Sequence, residues 1–81
     1  MKEDDAVLAI IAEYQRASAI HGPFNSAHEG YAVILEELDE LWETIKNRKH
    51  VPPDDYMHGL TEEAIQVGAM ALRILIDLCE E

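Results

Sequence analysis

The residues best equipped for chemistry in this chain are its acids. Glu36, Glu37, Asp39, Glu40 and Glu43 place five carboxylates within eight positions, and a second polar stretch, Glu63-Ala64-Ile65-Gln66, follows further on. On a helix Glu37 and Glu40 are neighbours, and like charges at that spacing cost stability unless something neutralises them. A hard divalent cation, Mg²⁺ or Mn²⁺, is the natural neutraliser, because it takes carboxylate oxygens and keeps waters that a phosphate can replace. Glu36 lies beside this pair, nearer solvent. An acidic run is more often a solvated face than a site, so its meaning turns on whether Glu63 is brought opposite.

The elements that must do this are helices. From Asp4 or Asp5, Val7, Leu8, Ile10, Ile11 and Tyr14 recur at helical spacing, predicting a first helix over about 5–20 that Gly22-Pro23 ends. Ser26 followed by Glu29 is a capping box. It opens a second helix over about 27–48, with Tyr31, Ile34, Leu35, Leu38, Leu41, Trp42 and Ile45 on one broad apolar face. The short connection predicts that these two helices are antiparallel neighbours. His50 to Asp55, with two prolines, reads as a connector. Tyr56 to Gly59 reads either as a first helical turn or as the end of that connector, and a third helix covers Thr61 or Glu62 to about Leu78.

On that helix Leu60, Ala64, Val67, Ala71, Ile74 and Leu78 form one apolar strip, and Ile65, Ala69, Leu72, Ile76 and Cys79 form another. Between them runs a largely polar ribbon of Glu63, Gln66, Met70, Arg73 and Asp77. Two antiparallel helices would set Glu63 opposite Glu37 and Glu40. A helix apolar on two sides is buried on two sides, which one small three-helix chain hardly achieves. A homodimer or homotetramer is therefore expected, with an all-α fold and a single domain over 1–81.

Charge narrows the partners. The formal net charge of −11 argues against nucleic acid, which is bound through clustered Lys and Arg, and against anionic membrane surfaces. No apolar run reaches transmembrane length, the first residues lack the pattern of a signal peptide, and the lone Cys79 allows no internal disulfide. Cytoplasmic residence is the expectation.

The remaining candidates carry blander readings beside the functional ones. Arg73 shares the ribbon with Glu63 and could meet a phosphate, although an i,i+4 pair with Asp77 is the plainer role. Tyr31 and Trp42 could stack on a base, but lie on the apolar face and read as core. The four histidines share no i,i+4 spacing, so zinc is not expected. His28 reads as a surface residue, and Cys79 as an inert core or interface thiol.

Taken with their surroundings, Glu36-Glu37-Leu38-Asp39-Glu40 and Glu63-Ala64-Ile65-Gln66 resemble the split acidic motif of the MazG-like all-α nucleoside triphosphate pyrophosphohydrolases, Glu-Glu-x-x-Glu on one helix and Glu-x-x-Asp on the next. The flanking words, Gly22-Pro23-Phe24-Asn25-Ser26 through Leu35 and Ala64 through Arg73, resemble its small phage and bacterial members, over roughly residues 10 to 78. The resemblance implies Mg²⁺-dependent hydrolysis of a (deoxy)nucleoside triphosphate to monophosphate and pyrophosphate. It implies Glu37, Glu40 and Glu63 as metal ligands and an oligomeric helical bundle. Glu36 or Glu40 would accept the proton of the attacking water, and Gln66 and Arg73 would face substrate. The family's Asp falls on Gln66, an amide that brings no charge. That substitution motivates a second reading, a catalytically silent helical module that binds a nucleotide or a partner. A purely structural acidic bundle is the third.

Overall fold

A computed structural model describes residues 1–79, and among them all regular structure is helical. Helix α1 spans Glu3–His21, with Glu3, Asp4 and Asp5 at its positive N-terminal end. Gly22 stops it at φ 70°, a value that a side chain would resist, while its N–H donates to the Ser18 carbonyl at 2.9 Å. Helix α2 spans Ala27–Lys46. The Ser26 hydroxyl accepts from the Glu29 N–H at 3.1 Å, the first half of the capping box. The second half is displaced by one residue, since the Glu29 carboxylate accepts from the backbone and side-chain amides of Asn25, each at 3.2 Å.

Beyond α2 the chain makes a single 3₁₀ turn, Arg48–His50, and then enters α3, Pro53–Leu78. The third helix thus begins well before Thr61. Pro53 stands at the first helical position, where a missing N–H costs nothing and the fixed φ suits the turn. One of the two prolines read as excluding a helix in fact starts it.

Helix α3 is the centre of the fold. It packs against α1 on one side and α2 on the other, and α1 and α2 have no extensive contact with each other. The expected α1–α2 neighbour pair is therefore wrong. The loop between them is held to α3 instead, with the Phe24 N–H donating to Asp77 Oδ2 at 3.0 Å and Arg73 Nη2 donating to the Gly22 carbonyl at 2.9 Å. Two glycines set the helix spacing. A Cβ on Gly30 would lie 2.9 Å from Ile74 Cγ1, and one on Gly68 would lie 2.9 Å from Ile10 Cδ1.

The buried core is small: Ala17, Phe24, Ala69 and Met70, with Tyr14, Val33, Ile34, Ile74 and Leu78 packed around it. Tyr31 and Trp42 are not part of it, since both are exposed. Cys79 is exposed too, which removes its reading as a core thiol. Among the described residues no helix is long and apolar enough to cross a membrane.

Candidate functional site

On α2 the positions facing α3 follow a four-three rhythm through Gly30, Ile34, Glu37, Leu41 and Thr44, all buried or half-buried. Glu37 therefore occupies a place where that rhythm calls for a hydrophobe. Glu40, one turn on and exposed, sits at the rim of the same seam. From α3 the half-buried Glu63 comes to meet them. One carboxylate oxygen from each of Glu37, Glu40 and Glu63 lies within 4.8 Å of the others. Antiparallel packing of α2 and α3, fixed by Gly30 against Ile74 and by Thr44 against Gly59, produces this convergence.

The carboxylates strain against each other. Partial burial, followed by the charges of Glu40 and Glu63, pushes the Glu37 carboxyl above its ordinary range. Burial also raises Glu63, as does a hydrogen bond to Glu40 that only a protonated carboxyl can donate. Glu63 Oε2 is shielded from solvent and accepts no hydrogen bond. A buried acceptor left unsatisfied costs free energy that a bound cation would return.

The three acids form one end of a cleft of about 980 Å³ between the helices. Glu36 and Glu62 line this end as well. Ten residues further along α3, about 15 Å at the helical rise, the cleft is lined by Arg73, Met70, Phe24 and His21. Arg73 is only 4% exposed. Its guanidinium lies 4.0 Å from the Phe24 ring centroid and approaches Met70 Sδ at 3.5 Å, and its Nε has no partner. Among the described residues no carboxylate forms an ion pair with it. The expected Arg73–Asp77 pair is absent because both side chains are spent on the α1–α2 loop. The polar ribbon of α3 thus holds two of the most buried residues of that helix, Met70 and Arg73, rather than a wetted face.

Gln66 lines the cleft three residues after Glu63, as does Glu13 on α1, whose carboxyl the Gln66 amide helps to hold low. Glu13 was not legible as a site residue. On its own helix it reads as one half of an i,i+3 pair with Arg16, whose Nε donates to it at 2.7 Å. That bond, more than the Gln66 amide, holds the Glu13 carboxyl below its usual range against the opposing effect of burial. Nothing in the α1 sequence signals that this pair faces the cleft. His28, by contrast, is exposed and does not line it.

Comparison with protein-family models, with curated proteins and with solved structures yields no match. The reading of the site accordingly stands on its residues. The donor set consists only of carboxylate oxygens, which suits a hard divalent cation and not a thiophilic one. The opposite end offers a fixed cation beside an aromatic ring. Such a cleft is chemically suited to a ligand that is anionic where it meets a metal and less charged elsewhere.

Proposed function

We propose that this cleft is the active site of a Mg²⁺-dependent nucleoside triphosphate pyrophosphohydrolase of the MazG-like kind, with Glu37, Glu40 and Glu63 as the metal ligands. The observation that carries this reading is the meeting of three carboxylates from two helices, one of them with a shielded oxygen that no hydrogen bond satisfies. A divalent cation bound there supplies charge neutralisation for the phosphate oxygens and a lowered pKa for the attacking water. Glu36, exposed at the mouth, and Glu40, at the rim, are the groups placed to accept that water's proton. Half-burial of Glu37 and Glu63 fixes the ligands before substrate arrives, so little reorganisation is left for the reaction itself.

Arg73 has given one nitrogen to Gly22 and another to Met70. Its part in binding is thus a fixed positive charge at the far end of the cleft, with its Nε buried and without a partner. Gln66, beside Glu63 in the cleft lining, is a neutral amide. This favours a second reading, in which the cleft binds a nucleotide without cleaving it, because the position that would carry a fourth charge carries none.

A single assay separates the two. Purified chain with Mg²⁺, offered a panel of canonical and modified nucleoside triphosphates, should release pyrophosphate from at least one. Glu40→Gln and Glu63→Gln should lower that rate roughly a hundredfold or more. No cleavage of any nucleotide, with Mg²⁺ affinity untouched in Glu40→Gln, removes the proposal. Hydrolysis gained only in Gln66→Asp establishes the silent module.

A further inference from the structure

An anion entering this cleft meets mostly glutamates, so the cations in its wall decide what it can hold. The chain has six Lys and Arg residues, of which Lys2 stands near the N-terminus and Lys46, Arg48 and Lys49 gather at the end of α2. The other two, Arg16 and Arg73, line the cleft. Arg73 is 4% exposed and is turned to Gly22, Phe24 and Met70. The side chain of Arg16, by contrast, is 57% exposed. That makes it the fixed positive charge that a ligand in the cleft can reach.

The Arg16 guanidinium is held in place. Nε donates to Glu13 Oε1 at 2.7 Å and Nη2 to Glu13 Oε2 at 2.5 Å, a two-pronged pair along one edge of the group. Glu13 itself is packed into the wall, with 13% of its side chain exposed. The pair keeps both members charged, drawing the Glu13 carboxyl below its ordinary range and lifting the Arg16 guanidinium above its own. A guanidinium carries five N–H donors in a fixed fork. With Nε and one Nη2 hydrogen given to Glu13, the second edge, Nη1 with the other Nη2 hydrogen, has no partner among the described residues. Ala12 and Ala9, one and two turns before Arg16 on the same side of α1, are too small to cover it. An exposed i,i+3 pair contributes little to folding. What this one does is orient the arginine.

Its direction follows from the fold. Helices α1 and α3 run the same way, with Ala6 near Leu60 at one end and Gly22 near Arg73 at the other. Helical side chains lean toward the N-terminus of their helix, so Arg16 leans toward the end of the cleft that holds Glu63. Glu13 stands beside Gln66, one turn of α3 or about 4.5 Å of rise from Glu63. We propose that Arg16 is the phosphate clamp of the cleft, its open edge taking two oxygens of one phosphate, with Glu13 as the positioning residue. The neighbouring phosphate of the same ligand meets the cation on Glu37, Glu40 and Glu63. This rests on the metal reading of those three acids and adds the ligand class, a di- or triphosphate, because two separate anchors suit linked phosphates and not a single one. The two arginines thereby part company: Arg73 builds the wall, and Arg16 meets the ligand.

Inorganic pyrophosphate is the probe, titrated calorimetrically into the full chain with and without Mn²⁺, while Mn²⁺ uptake is followed separately by electron paramagnetic resonance. With Mn²⁺ present, Arg16→Gln should weaken pyrophosphate binding roughly tenfold or more and leave Mn²⁺ uptake intact. Arg16→Lys should recover little of the loss, since an ammonium cannot serve Glu13 and a phosphate through two parallel pairs. Lys46→Gln, which removes a charge outside the cleft, should change neither reading, and orthophosphate should bind the wild type far more weakly than pyrophosphate. Wild-type protein that takes up Mn²⁺ but binds pyrophosphate no better than Arg16→Gln or Arg16→Lys overturns the clamp and leaves the metal reading in place. So does orthophosphate binding as tight as that of pyrophosphate. Protein that takes up neither Mn²⁺ nor pyrophosphate overturns both. Pyrophosphate binding that needs Arg16 but not Mn²⁺ upholds the clamp and removes the metal's share in it.

Discussion

Arg73 reaches across 51 residues of sequence to the carbonyl of Gly22, with Nη2 donating at 2.9 Å. The same guanidinium covers the Phe24 ring, and neighbouring Asp77 holds the Phe24 N–H. One turn of α3 thereby fixes where α1 ends and where α2 begins. A charge-assisted hydrogen bond is worth about 1.5–3 kcal/mol and a desolvated cation–π contact about 2. Removing a buried cation without an acidic partner gives some of that back. Arg73→Met should lose about 2 kcal/mol of stability in urea unfolding at fixed protein concentration. An unchanged midpoint would mean that the loop is held by Asp77 alone.

The raised carboxyls of Glu37 and Glu63 carry a pH signature. A group whose pKa is higher in the folded state binds protons more tightly there, so stability falls as pH rises from the ordinary value of 4.5 through the folded value. Metal-free protein should therefore lose melting temperature over that interval. Glu13 runs the other way, its lowered carboxyl adding stability that disappears as pH falls below 4.5. Glu37→Gln, which removes one like-charge neighbour, should stabilise the metal-free protein by about 0.5 kcal/mol and flatten the slope on the alkaline side.

Metal should reverse the sign. If the three acids hold Mg²⁺ or Mn²⁺, wild-type protein gains about 2.7 kcal/mol at a hundred times the dissociation constant. Glu63→Gln should be blind to the ion. Calorimetric scans of both proteins with and without Mn²⁺ make the comparison. An equal response in the two would assign the effect to the rest of the acidic surface.

Gly30 tests how closely α2 and α3 must approach. An alanine there gains about 1 kcal/mol of helix propensity but sets its Cβ 2.9 Å from Ile74 Cγ1, and such overpacking costs about 1–3 kcal/mol. Gly30→Ala should be destabilising by about 1 kcal/mol. Adding Ile74→Ala should cost less than the sum of the two single changes, as read from a double-mutant cycle in urea.

The existence of three helices was legible because the apolar positions repeat at three and four and the caps are explicit in Ser26 and Gly22. So was the meeting of Glu37, Glu40 and Glu63, because antiparallel α2 and α3 need only their spacing to bring those acids together. The start of α3 was missed through a proline rule applied without regard to position, since Pro53 is harmless at the first turn. The partner of α1 was missed because a short loop fixes nearness, not contact, and the side chains of Arg73 and Asp77 decide the rest. Tyr31 and Trp42 were misplaced for a related reason. On α2 the apolar arc is wider than one helix can cover, and the half that α3 takes includes an acid, Glu37, leaving the purely hydrophobic half outside.

The acidic triad lies wholly on α2 and α3, whereas α1 supplies only the third wall of the cleft and touches little besides α3. Detachment of α1 is therefore the least costly partial opening of the molecule. It would uncover Glu13, Gln66 and the buried side of Arg73 while leaving the three glutamates in register. Amide exchange in α1 should then outrun exchange in the middle of α3, and a bulky ligand has a way in that does not disturb the carboxylates.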